Sequence, residues 1–231
     1  MSAGTNITAS TNVTAGTGPA RDAARGDGID SGAYWRDRYA KGGTSGGGSY
    51  GRLAVFKAHV VNLMVHRHGL ASLLELGSGD GANAELYAVP NYCGVDIAEE
   101  MVARCRARFA DRSGWRFETA RDFMPKSRGF DGAMSLDVIY HLVEDAVFED
   151  YMRRLFDAAR SQVLIYSSDH ASSRGETAAH VRHRAYSDWI ASEMPGWELV
   201  ETIPQPYMWN AEERAQDTSL AFFRRYERVS R

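Results

Sequence analysis

"LELGSGDGAN", Leu74 to Asn83, is the stretch on which the fold turns. The apolar run before it, "LASLLEL" at 70–76, is short and halted by glycine, the form of a strand buried on both faces of a parallel sheet. "GSGDGA", 77–82, fits G-x-G-x-x-G/A, in which glycine lets a backbone approach a ligand and a following helix presents its amide end. Asp96 lies 19 residues beyond Gly77, at the end of the next expected strand, where a carboxylate accepts ribose hydroxyl protons. Strand, glycines and distant acid together predict an adenosine-cofactor site, but they do not separate a nicotinamide dinucleotide from other adenosine cofactors.

On either side the chain alternates between two periods. Leu53, Phe56, Val60, Leu63 and Met64 recur at helical spacing and predict an amphipathic helix from Arg52 to His68, ended by Gly69. Downstream, "ANAELYAV" is expected as a helix, "YCGVD" as a strand, "AEEMVARCRARFA" as a helix and "WRFETA" as a strand. "FDGAMSLD" reads as a fourth strand, "EDAVFEDYMRRLFDAAR" as a strongly periodic helix and "SQVLIYSS" as a fifth strand. That alternation implies a parallel sheet covered on both faces. After a helix "AYSDWIASEM", the strands "WELVETI" and "LAFFRRYERV" follow without a crossover helix, so they should pair antiparallel.

The 231 residues suit one domain. A hydrophobic fraction of 44% with 25% charged residues is ordinary globular composition, and a net charge of −3 with interspersed arginines gives no basic track for nucleic acid. Cys93 and Cys105 lack metal or CxxC spacing and are expected as reduced thiols, which fits a cytoplasmic location. No run approaches the length of a membrane span, and the polar start has neither basic nor apolar signal character. Residues 1–30 are expected to be a disordered tail.

The sequence E-L-G-S-G-D-G resembles motif I of class I S-adenosylmethionine-dependent methyltransferases, and Asp96 in "GVDIAEEM" resembles the ribose-binding acid of that family. The antiparallel final pair resembles its sheet edge, and residues 52–228 can be laid onto its strand order. The resemblance implies an α/β, Rossmann-like, doubly wound seven-stranded sheet with an antiparallel C-terminal edge strand, one domain over 31–231, and S-adenosyl-L-methionine as cofactor. It carries cofactor-binding roles onto Glu75, Gly77, Ser78, Gly79, Asp96 and Ile97, onto Asp122 and Phe123 beside the adenine, and onto Leu136 and Asp137 at the end of the fourth strand. "GTSGGGSYGRLAVFKA", "SLDVIYHLVED" and "HVRHRAYSDWI" resemble a set of small bacterial methyltransferases more closely. A dehydrogenase would need a substrate domain for which the chain has no room.

A sulfonium methyl is already electrophilic, so the protein must mainly align a nucleophile and exclude water, with a base mattering most for a hydroxyl. Asp137-Val138-Ile139-Tyr140 stands where amide and base methyltransferases of the resembled fold carry Asn/Asp-Pro-Pro-Tyr/Phe, so oxygen is favoured over nitrogen as acceptor. His141 is the first candidate for acid–base work, His170 the second, with Asp137 beside them; a purely structural His141 is an equal alternative. After the fifth strand, Arg174, His180, Arg182, His183 and Arg184 suit a phosphate or carboxylate on the substrate, or a solvated loop. Tyr140 and Tyr207 complete the expected substrate wall, and no metal is expected because His180 and His183 lack a fixed acid partner.

The glycine stretch "KGGTSGGGSYGR", 41–52, reads as the hinge of a lid over the cofactor (31–52), with Trp35 and Tyr39 or Tyr50 as walls and Arg52 or Arg38 as partner of the cofactor carboxylate. The partner is expected to be a small molecule, not nucleic acid or membrane, and the chain a monomer or homodimer. A non-catalytic S-adenosylmethionine-binding module and an RNA or protein methyltransferase are the alternatives.

Overall fold

The computed structural model describes residues 30–171, 178–209 and 217–229. The expected tail therefore lies, save for Asp30, outside the described residues. Seven strands form one sheet in the order β3-β2-β1-β4-β5-β7-β6: β1 (Ser72–Leu76), β2 (Asn91–Asp96), β3 (Trp115–Thr119), β4 (Phe130–Leu136), β5 (Ala159–Ser167), β6 (Trp197–Ile203) and β7 (Phe222–Arg228). The first five run parallel, and β7 enters antiparallel between β5 and β6. The antiparallel pair is present as expected, with β6 outermost.

Strand periodicity divides the core into two layers. Leu73, Leu164 and Tyr166 face one side with Val60, Val61 and Met64 of helix α2 (Gly51–Arg67) and Val102 and Cys105 of α3 (Glu99–Arg108). Leu74, Val163 and Ile165 face the other with Phe148, Met152, Leu155 and Phe156 of α4 (Asp145–Ala158) and Ile190 of α5 (Tyr186–Glu193). Each such side chain contributes about 1.5–3 kcal/mol by leaving water. A first helix, α1 (Ser31–Ala40), caps the carboxyl ends of the strands, its Trp35 and Tyr39 packed on Ala98 and Met101.

One element differs from expectation. "ANAELYAV" makes only a single 3-10 turn, Ala84–Leu86. The glycine loop takes residues 77–81 of the connection between Leu76 and Asn91, and those that remain are too few for a helix to run back along the sheet. Asn62 then holds the chain semi-extended, its amide donating to the Leu86 carbonyl (2.9 Å) and its oxygen accepting from Ala88 N–H (2.8 Å).

Candidate active site

Above the carboxyl ends of β1, β2 and β4 lies a cavity of about 270 Å³, roofed by α1 and the glycine-rich stretch after it. Its floor is the loop 77–80. Gly77 and Gly79 have φ of +83° and +55°, which L side chains resist, and a β-carbon on Gly77 would collide with Val138. The loop is tied to β2: the Gly77 and Ser78 amides donate to the Val95 carbonyl (2.7 and 3.0 Å), and Gly79 N–H donates to Asp96 Oδ2 (2.8 Å).

Asp96 is thus oriented by backbone, its second oxygen accepting from Ala98 N–H at 3.0 Å. Burial pushes its carboxyl above the ordinary range, opposed by the amides of Ala98 and Gly79. Each oxygen keeps a lone pair for a ribose hydroxyl. Ile97, Ala120 and the buried Phe123 form an apolar slot beside it, and Leu136, Asp137 and Val138 the opposite wall. Ser78 Oγ and Asn83 Oδ1, both lining the cavity, are buried without a hydrogen-bond partner. A carboxylate for a diol, an apolar slot for a planar ring and unsatisfied polar atoms beyond the glycines fit S-adenosylmethionine.

The glycine-rich stretch docks on the floor through side chains. Ser45 Oγ accepts from Asp80 N–H (3.0 Å) and pairs with Tyr39 Oη (3.0 Å), while Tyr50 Oη donates to Asp80 Oδ2. Burial alone would raise the Asp80 carboxyl; the hydrogen bonds from Tyr50, Ala82 and Ser45 outweigh that and hold it below the usual range. At the other end of α1, Ser31 N–H and hydroxyl both donate to the Glu144 carboxylate that precedes α4.

His141 lines the cavity on the 3-10 turn Ile139–His141 that follows β4. Its Nδ1 lies 3.1 Å from the His180 carbonyl, which can only accept, so Nδ1 carries the proton and Nε2 the lone pair. Trp35 meets the ring edge-on at 4.8 Å and His180 stacks on it at 5.6 Å. Burial depresses its pKa to about 4, so the imidazole is neutral at pH 7. Helix α4 adds Val147, Asp150, Tyr151 and Arg154 to the lining, which the sequence reading did not anticipate because their helix reads as an ordinary amphipathic one.

Several expected residues are placed elsewhere. Glu75 faces the core beneath the loop, bonded to the hydroxyls of Tyr92 and Tyr87, and burial raises its pKa to about 7. Asp122 is exposed and accepts from Thr119 Oγ1 (2.7 Å). Arg52 lies outside the cavity lining, its guanidinium 2.8 Å from the Asp217 carboxylate and 4.5 Å over the Tyr207 ring. Arg38 donates to the Thr44 carbonyl (2.9 Å). The exposed His170 stacks on His183 at 4.7 Å, away from His141. His180 stacks on Tyr34 (4.3 Å), and Tyr140 Oη donates to Asp137 Oδ1 (2.8 Å). Arg174 lies outside the described residues.

The two arginines of this connection among the described residues are paired within the protein. Arg182 and Arg184 converge on Asp145 (2.9 and 2.6 Å) and donate to the carbonyls of Leu142 and Val143, bracing the turn that carries His141. Among the described residues, no cluster of His, Cys, Asp and Glu could hold a metal, and no helix is long and apolar enough to cross a membrane.

Residues 73–162 match the family model of the methyltransferase domain. None of the curated proteins matches the chain. Among solved structures, the methyltransferase domain of bacterial CtHen1-C is similar at 16% identity over 75% of this chain and 97% of that one, with a TM-score of 0.57. The N-methyltransferase NodS from Bradyrhizobium japonicum WM9 is similar at 17% identity, 78% and 98% coverage and TM-score 0.57. The DhpI-SAM-HEP complex is similar at 17%, 85% and 95%, and 0.54. The match spans β1 to the start of β5, so a methyltransferase domain lies over the strands that carry the glycine loop and Asp96, and the solved structures share its fold.

Proposed function

We propose that this methyltransferase acts on a small polar acceptor, with a hydroxyl oxygen favoured over nitrogen. The observation that carries this reading is His141: a neutral imidazole lining the cavity, its Nδ1 committed to the His180 carbonyl and its Nε2 lone pair available for an acceptor proton. When bound, S-adenosylmethionine supplies an electrophilic methyl for in-line displacement. Asp96 orients the ribose, Phe123 and Ile97 flank the adenine, and Ser78 and Asn83 meet the polar methionyl end. Trp35 and Tyr39 exclude water over the reacting centre, and residues 31–52 act as the lid.

Because Arg182 and Arg184 are committed to Asp145 and to carbonyls, a neutral hydroxylated acceptor such as a sugar is favoured over a phosphorylated or carboxylated one. The test is to incubate the protein with methyl-labelled cofactor and a fractionated small-molecule extract, and to characterise the labelled product. An O-methyl product whose formation falls at least 100-fold in His141→Asn supports the proposal. Labelled macromolecule, or an unchanged rate in the variant, refutes it.

A further inference from the structure

We propose that Lys57 is a positioning residue: its ammonium holds the Asp137 carboxylate, and through it the left-handed turn that closes the end of β4 against the glycine loop. Lysine occurs only at 41, 57 and 126. Lys57 stands on the buried face of α2, among Leu53, Val60 and Val61, with its side chain 0% exposed. Its Nζ lies 2.6 Å from Asp137 Oδ2 and 5.4 Å from the centroid of the Tyr166 ring. For packing alone, an apolar side chain of similar length would serve at least as well there, because a buried ammonium loses its hydration. The ion pair therefore points to a requirement at Asp137.

That requirement is visible in the backbone. Asp137 has φ of +59°, a conformation a residue with a β-carbon holds only when its surroundings enforce it. Three contacts do so: Lys57 on Oδ2, Tyr140 Oη on Oδ1 at 2.8 Å, and the Asp137 amide donating to the Tyr166 carbonyl at 2.9 Å. The turn fixes two things at once. It drives Val138 against Gly77 in the floor, and it launches the turn that carries His141. Gly48 packs on the same carboxylate, so close that a β-carbon there would lie 2.9 Å from Oδ2. Lys57 thus acts on cofactor fit through Asp137, without lining the cavity itself.

The inference rests on the cofactor reading, and titration with S-adenosylhomocysteine separates the two: absence of wild-type binding refutes the cofactor, whereas the variants report on Lys57. Lys57→Met is expected to weaken binding at least tenfold, and Lys57→Arg to recover part of that loss. Asp137→Asn is expected to weaken binding similarly, and Lys57→Met to add less than twofold in the Asp137→Asn background, where no carboxylate remains to be held. Should Lys57→Met fail to fold, the neutral pair Lys57→Met/Asp137→Asn carries the comparison with Asp137→Asn alone. Wild-type affinity in Lys57→Met, or a further tenfold loss in the double variant, overturns the proposal.

Discussion

Ser45 Oγ occupies the space where a β-carbon on Gly79 would stand. The second glycine of the loop therefore leaves no room for a side chain on the face that meets the glycine-rich stretch. The Ser45 hydroxyl also accepts from the Asp80 amide, so the glycine-rich stretch and the floor share a hydrogen-bonded seam. Gly79→Ala is opposed both by φ of +55° and by Ser45. It is expected to raise the dissociation constant for S-adenosylhomocysteine at least tenfold, about 1.4 kcal/mol. It should also make the 41–50 segment more sensitive to limited proteolysis with or without ligand; unchanged binding and digestion would contradict the seam.

In the proposed cofactor site, Asp96 is the carboxylate that would meet the ribose. Asp96→Ala removes it together with the acceptors for the Gly79 and Ala98 amides. Calorimetric titration should show affinity falling by about 2 kcal/mol or more, as expected for lost hydrogen bonds to a charged group. Asp96→Asn, which retains one oxygen, should fall between the variant and the wild type.

The half-buried His141 and the buried Glu75 impose opposite pH dependences. Burial lowers His141 from its ordinary 6.5 to about 4, so between those values the unfolded chain binds a proton that the native state does not. Stability from this group is therefore lost as pH falls through that window. Burial raises Glu75 from 4.5 to about 7 against the hydrogen bond from Tyr92 and the charge of Lys57, so the native state keeps a proton that the unfolded chain releases. Stability from that group is lost as pH rises from 4.5 to 7. Each effect spans about 3 kcal/mol. Glu75→Gln should expose the His141 slope, with Tm rising from pH 4.5 to 6.5 more steeply than in the wild type. Parallel melting profiles for the two proteins would reject the assignment.

Arg52 is paired with Asp217 and Tyr207 on an exposed face, outside the cavity lining. Arg52→Ala is expected to alter S-adenosylhomocysteine affinity less than twofold and stability by about 0.5 kcal/mol. A several-fold loss in affinity would instead return this arginine to the cofactor carboxylate, as its place in the sequence suggested.

What sequence reading reached, and what it missed, follows the range of the interactions. The switch between helical and strand periods from Leu53 to Arg228 laid out all seven strands, because burial on two faces of a sheet imposes that pattern locally. Gly77, Gly79 and Asp96 were legible because a tight loop beside a strand end restricts which residues fit. The helix expected from "ANAELYAV" is absent because the glycine loop leaves too short a connection, and Asn62, more than 20 residues upstream, holds the Leu86 carbonyl and the Ala88 amide instead.

Alone, then, the amino-acid sequence determined the layered sheet and the chemical kind of pocket it carries, through constraints that act within a turn or along a strand. Tertiary structure decided which charges meet. Lys57 reads as a break in an apolar helix until folding sets it beside Asp137, 80 residues away, and Arg182 and Arg184 read as an anion site until Asp145 claims them. An ionic group is defined by its partner, and that partner is chosen by the path of the chain through space.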